Sequence, residues 1–346
     1  MSKLTPRERI LKTFAFEKTD RPAIDIMENN VWESLMDYFQ KERGLNSLED
    51  VLSYLNCDTR WIIAGTPEQL SMVAIDADAL DERQNFGGSG KLLENVETVE
   101  EIRSLYKPNV NDIIYPDFKK AREDHPDHAL IFTPCWNPIF SGACDAFGMQ
   151  EAMLKMYTDS ELFLEYCEIQ CNYSIEVFEK GIELGALEYC DFAWMGDDFA
   201  DNRGPLVSPE MWRSMIKPYH SRIISSVKKH GLKVLFHSCG NVEQFVPDFI
   251  EMGVDALLVI QTSAEDMQVE NLAAKYGGKI VFWGAVDAQQ LLTRGTPEQV
   301  REEVIKNCKV FENCGGYVVS NSHHSMPDIS GKNIEAMCEA ALNIAY

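Results

Sequence analysis

The segment Phe236-His237-Ser238-Cys239-Gly240 offers an imidazole and a thiol two residues apart. Residues i and i+2 of a strand point to one face, so His237 and Cys239 converge on one ion, and Gly240 frees the backbone to turn away. Zinc accepts this mixed donor set. A catalytic zinc takes three protein ligands and leaves one position open, so the third ligand must come from another strand. A hydrogen-bonded histidine beside a buried thiol is the plain alternative. Carboxylates suited to acid–base work stand at Glu28 and at the adjacent pair Asp197-Asp198. The same pair also suits a turn or a helix start. Asn29, Trp136, Trp194, Gln261 and Trp283 are the polar and flat side chains expected to line a substrate pocket near these groups.

Those residues are useful only if one scaffold brings them together. Short apolar runs occur at 23–27, 59–64, 129–135, 187–194, 233–239, 256–261, 280–286 and 316–320, and runs such as Lys-Val-Leu-Phe-His suit parallel strands covered on both faces. Helical patterns at 31–41, 160–184, 209–230, 242–252, 265–276 and 297–313 lie between them. Ser208-Pro209 and Thr296-Pro297 cap helix starts, while Gly231 and Gly253 mark helix stops. Eight strands with helical crossovers point to an α/β (β/α)8 TIM barrel formed by one domain over 1–346, and an open doubly wound sheet is the alternative. The surplus over a plain barrel falls between strands two and three, at 66–128, which reads as an insertion containing Gly87-Gly88-Ser89-Gly90. In a barrel, catalytic groups come from the carboxyl ends of the strands, and every residue singled out above falls at such an end. So do His323 and His324, after strand eight.

Composition narrows the function. The chain has 346 residues, 32 Lys plus Arg against 55 Asp plus Glu, and a formal charge of −23. It carries no basic stripe for a phosphate backbone, which argues against nucleic acid as a partner. No apolar run approaches the length of a membrane span, and the N-terminus leads into an amphipathic helix, so the expected location is the cytoplasm. The ten cysteines are expected there as reduced thiols, mostly small core residues.

Several motifs combine into a family resemblance over nearly the whole chain. Thr5-Pro6-Arg7-Glu8-Arg9, Asp20-Arg21-Pro22, Gly196-Asp197-Asp198, Gly204-Pro205-Leu206-Val207-Ser208-Pro209-Glu210, His237-Ser238-Cys239-Gly240-Asn241-Val242 and Ser322-His323 resemble the uroporphyrinogen decarboxylase superfamily. Within it they look most like the corrinoid-linked methyltransferase branch, similar to methylcobalamin:coenzyme M enzymes. The resemblance implies a (β/α)8 barrel and a zinc ion held by His237, Cys239 and, after the last strand, His323, where the relatives have a cysteine. His324 and Cys314 are the reserve third ligands.

The same resemblance implies a methyltransferase working with a corrinoid protein. The cobalamin would come with that partner, since the chain has no Asp-x-His-x-x-Gly corrinoid motif. The methyl group would move between cobalt and a small methyl donor or a thiol acceptor. A centre with one thiolate and two imidazoles keeps a net positive charge, which favours activation of a methyl ether. The founding decarboxylase binds a polycarboxylate through arginines after its first strand. Here that segment carries Asp25 and Glu28, with only Arg60 and Arg203 as possible compensation. A decarboxylase of a porphyrinogen and a catalytically silent binding barrel are the alternative readings.

Overall fold

The computed structural model describes residues 3–73, 91–134, 136 and 138–345. Eight parallel strands form one curled sheet: β1 (Ala23–Ile24), β2 (Thr59–Ala64), β3 (Ala129–Pro134), β4 (Phe192–Gly196), β5 (Lys233–His237), β6 (Ala256–Ile260), β7 (Val281–Val286) and β8 (Tyr317–Asn321). Their order is β1-β8-β7-β6-β5-β4-β3-β2, with helices in the crossovers, which is the barrel architecture that the strand count implies.

The seam between β1 and β2 is closed largely by side chains. Asp58 N–H donates to Ile24 O at 2.7 Å, and Ile24 N–H donates to the Asp58 carboxylate at 2.8 Å. Higher up, the Thr59 hydroxyl donates to Asp25, and Trp61 N–H donates to Asn29 Oδ1 at 3.1 Å. Polar side chains therefore satisfy backbone groups that a ladder would otherwise pair.

Alternation along each strand divides the core in two. Trp61, Ile131, Phe192, Trp194, Leu235, Leu258, Trp283 and Val318 face inward and fill the barrel, while neighbours such as Phe132, Ala193 and Phe236 face the helical layer. The helix Pro6–Phe14 plugs the lower end. Its Ile10 and Phe14 join the inner cluster, with the Phe14 ring centroid 4.5 Å from that of Phe192. Arg9, on the same helix, is buried against Asp20 and Asp58.

Some boundaries differ from the sequence reading. Residues 186–189 form a short helix, and the fourth strand begins at Phe192, because Gly185 adopts φ 115° and starts a helical turn where an apolar run alone suggests a strand. The stretch 209–230 is two helices, Pro209–Met215 and Lys217–Lys228, since Pro218 lacks the N–H needed to continue the first. The stretch 242–252 likewise splits into a 3₁₀ turn, Glu243–Phe245, and a helix, Val246–Met252, with Pro247 in its first turn. Between β2 and β3 lie the helices Pro67–Val73, Val99–Leu105 and Phe118–Asp124, and the glycine-rich stretch at 87–90 lies outside the described residues. A second long connection, between β3 and β4, carries the helices Phe140–Phe147, Met149–Thr158 and Ser160–Glu183. The nine described cysteines are free and seven of them are buried. Among the described residues, no helix is long and apolar enough to cross a membrane.

Candidate metal centre

The parallel register of β4 and β5 pairs Gly196 with His237, so the residues just beyond each strand, Asp198 and Cys239, come side by side at the barrel mouth. Cys239 N–H donates to Asp198 Oδ1 at 2.7 Å. His237 Nε2 lies 3.5 Å from Cys239 Sγ and 3.8 Å from Asp198 Oδ1. One ligand atom from each of the three falls within 4.8 Å of the others. Zinc–ligand distances of about 2.0–2.3 Å set tetrahedral edges of roughly 3.3–3.8 Å, so these separations suit one shared ion.

The other nitrogen of His237 is already engaged. Glu28 Oε1 lies 3.1 Å from His237 Nδ1, and Glu28 Oε2 lies 2.6 Å from His324 Nε2. A carboxylate on Nδ1 fixes the imidazole tautomer and leaves Nε2 as the free donor. Burial pushes the Glu28 carboxyl up, but His324 and His237 hold it well below the usual carboxylate range. Burial opposes a charge on His237, yet the Cys239 thiol and the Glu28 and Asp198 carboxylates raise its pKa well above an ordinary imidazole's. Burial also raises Asp198 and Cys239; the Asp198 carboxylate pushes the Cys239 thiol further up, while His237 and the Cys239 N–H pull Asp198 part of the way back down. Negative donors are thus concentrated where a divalent cation relieves the repulsion.

His323 is the sequence-expected third ligand, and it stands outside this trio. Its charge interactions with His324, His237 and Glu28 place it in the same mouth, and burial, reinforced by His324 and His237, lowers its pKa to about 3. It is therefore a neutral imidazole. His324 pairs with Glu28, and Cys314 bonds to Phe311 O before β8 begins.

The acidic pair divides its tasks. Asp198 keeps a partly exposed side chain, whereas Asp197 is fully buried and accepts from Phe140 N–H at 2.7 Å, Ser141 N–H at 2.9 Å, Ser141 Oγ at 2.8 Å and His220 Nε2 at 2.9 Å. Both of its oxygens are occupied in anchoring the start of the helix Phe140–Phe147.

The expected pocket residues divide in a similar way. Trp136 is half-buried and stands edge-on to His237, with centroids 5.4 Å apart, and Trp194 meets the same ring at 6.0 Å. Trp283 is fully buried below, donating to Asp25 at 3.2 Å, and Asn29 is committed to Asp25 and Trp61. Gln261 stitches the rim: it accepts from Gly240 N–H at 3.0 Å and donates to Asn202. Gly240 itself, at φ +82°, lies so close to Ala200 O that a Cβ would come within 2.6 Å of it.

Sequence reasoning counted Asp198 among the acid–base groups and missed it as a ligand candidate. The signal for that role, the β4–β5 register, exists only once the strands are paired.

From residue 93 to residue 344 the sequence matches the family model described as uroporphyrinogen decarboxylase (URO-D). The chain belongs to the uroporphyrinogen decarboxylase family. No curated protein sequence matches this URO-D family member. Its fold is similar to that of a methyltransferase from Methanosarcina mazei, with a TM-score of 0.69 over 98% of this chain and 98% of that one, at 17% identity. A B12-independent methionine synthase from a Shewanella species gives a TM-score of 0.44 over 69% of each chain, at 13% identity. The two arginines considered above as possible compensation for Asp25 and Glu28 have partners of their own. Arg60 is buried on Glu49, and Arg203 projects into solvent beside Asp201.

Proposed function

We propose that the protein is a zinc-dependent methyltransferase that works with a corrinoid protein, exchanging a methyl group between cobalt and a small substrate, with a methyl ether as donor or a thiol as acceptor. The observation that carries this reading is the Asp198, His237 and Cys239 cluster at the carboxyl ends of β4 and β5, with His237 Nδ1 held by Glu28. The likeness in fold to the Methanosarcina methyltransferase agrees with it.

His237 Nε2, Cys239 Sγ and an Asp198 oxygen would hold the zinc, which would supply Lewis acidity toward an ether oxygen or a thiol. Around that centre Glu28 keeps His237 turned toward Cys239 and Asp198, and Trp136 packs against the imidazole in an edge contact. His324, partly exposed, links Glu28 to solvent. His323, held neutral, is the nitrogen donor in reserve.

Replacing His323 by Asp198 in the ligand set alters the charge argument. Thiolate plus carboxylate makes the zinc centre formally neutral, like a two-thiolate centre. A carboxylate is a harder and weaker donor than a second thiolate, however, so the preference for an oxygen-bearing methyl donor survives in weaker form. A porphyrinogen polycarboxylate would meet Glu28 and Asp198 at the mouth and be repelled.

The test is methyl transfer with the purified protein, cob(I)alamin and a panel of methyl ethers, alongside thiol methylation from methylcobalamin. Transfer in either assay, lost in Cys239→Ala, supports the proposal. Inactivity in both, together with brisk decarboxylation of uroporphyrinogen, overturns it.

A further inference from the structure

We infer that Asp25 is a positioning residue for His237, acting through Asn29 and Glu28 although it touches neither His237 nor the other two residues of the trio. Asp25 is fully buried just above β1. Its Oδ2 accepts from the indole N–H groups of Trp61 and Trp283, each at 3.2 Å, and its Oδ1 accepts from the Thr59 hydroxyl and from Asn29 Nδ2 at 3.0 Å. Every donor is a neutral group. Other buried carboxylates have cationic partners: Asp58 receives Arg9 and Arg21, and Asp248 receives Arg213 and Lys217. A buried acid without a cationic partner is costly, and burial pushes the Asp25 carboxyl up to about 7.

What Asp25 secures is an unfavourable turn. Glu28 (φ 56°) and Asn29 (φ 48°) are consecutive residues in the left-handed region, which a glutamate with its Cβ enters only against steric cost. Asn29 is clamped on both sides of its amide, donating to Asp25 and accepting from Trp61 N–H at 3.1 Å. With Asn29 fixed, Glu28 points its two oxygens at His237 Nδ1 and His324 Nε2. A chain of direct hydrogen bonds and one peptide link thus runs from the barrel interior to the imidazole. Backbone strain held in place by such contacts is a mark of functional turns.

The metal arm of the test rests on the function proposed above, and the imidazole arm does not. In metal-free protein labelled with 15N-histidine, the Nδ1–H resonance of His237 should be shifted downfield by its bond to Glu28. Asp25→Asn should move that signal toward solvent values, as Glu28→Gln does. In cobalt-substituted protein, Asp25→Asn and Glu28→Gln should each weaken metal binding by about tenfold and alter the thiolate-to-cobalt charge-transfer band. The double variant should be no weaker than the weaker single variant, because both act through one path.

Asn29→Gly keeps the left-handed turn accessible while removing the side-chain amide's bonds to Asp25, Ile26 O and Trp61 N–H, and should reproduce the effects of Asp25→Asn even where that variant folds poorly. An unchanged His237 signal and cobalt band in Asp25→Asn or Asn29→Gly, or additive losses in the double variant, would overturn the inference. Wild-type protein that binds no cobalt rejects the metal reading alone, and the histidine signal still decides the role of Asp25.

Discussion

His237 Nε2 and Asp198 Oδ1 lie 3.8 Å apart across the mouth of the barrel, brought there by two neighbouring strands whose register aligns Gly196 with His237. Neither residue carries metal chemistry alone. Together with Cys239, and with the far side of the imidazole tied to Glu28, they form a donor set of three different types in one place.

Asp198 is therefore expected to matter more to metal binding than His323. Asp198→Ala should lower zinc affinity by about 100-fold or more, the loss of a ligand exceeding that of an outer partner, while His323→Ala retains one zinc per chain. Competition with a chromophoric chelator measures both. The opposite ranking would return His323 to the ligand set.

Asp197 is expected to behave as an anchor. Asp197→Ala strips the Phe140 and Ser141 N–H groups and His220 of a buried acceptor and should cost about 2–4 kcal/mol of stability, read by denaturant unfolding. Full stability combined with lost methyl transfer would instead assign it to catalysis.

The barrel and the gathering of polar residues at the carboxyl ends of its strands were legible from the sequence because both rest on local signals. Short apolar runs alternate with helices, and unusual polar residues such as Glu28, His237 and Cys239 follow the runs directly. The partners of those residues were not legible. Asp25 meets Trp283 and Glu28 meets His324 only because β1 closes against the far end of the chain, and Asn29 and Gln261 look like ligand contacts until their hydrogen bonds to Asp25 and Asn202 are seen. The apolar run at 187–194 misled for a related reason: it does not reveal that its first half is helical.

Below the barrel, Asp20 links the plugging helix to the chain entering β1. Partial burial raises its carboxyl, but the Arg9 guanidinium and Leu4 N–H bring it down from 3.8 to about 2. A carboxyl whose folded pKa is depressed contributes stability that is complete above its unfolded pKa and is lost as pH falls through the folded one. Asp20→Asn should therefore cost about 2 kcal/mol at neutral pH, with the difference from wild type shrinking as pH falls from about 4 to about 2. Parallel unfolding curves across that range check it. A pH-independent difference would show that the bond contributes by packing alone.

Gly240 brings the β5 turn against the β4 loop. Gly240→Ala places a Cβ within 2.6 Å of Ala200 O at φ +82°, and should cost about 2–4 kcal/mol and weaken zinc binding by displacing Cys239 from Asp198. Calorimetry paired with a zinc titration measures both, and unchanged values in both would show that the rim yields freely.

Zinc K-edge absorption on protein purified without a histidine tag tests the metal centre most directly. The ligand set of Asp198, His237 and Cys239 predicts one sulfur at about 2.3 Å with nitrogen and oxygen neighbours at about 2.0–2.2 Å, and a sulfur shell that disappears in Cys239→Ala. Two sulfurs, a sulfur shell that persists in Cys239→Ala, or protein that takes up no zinc would contradict it.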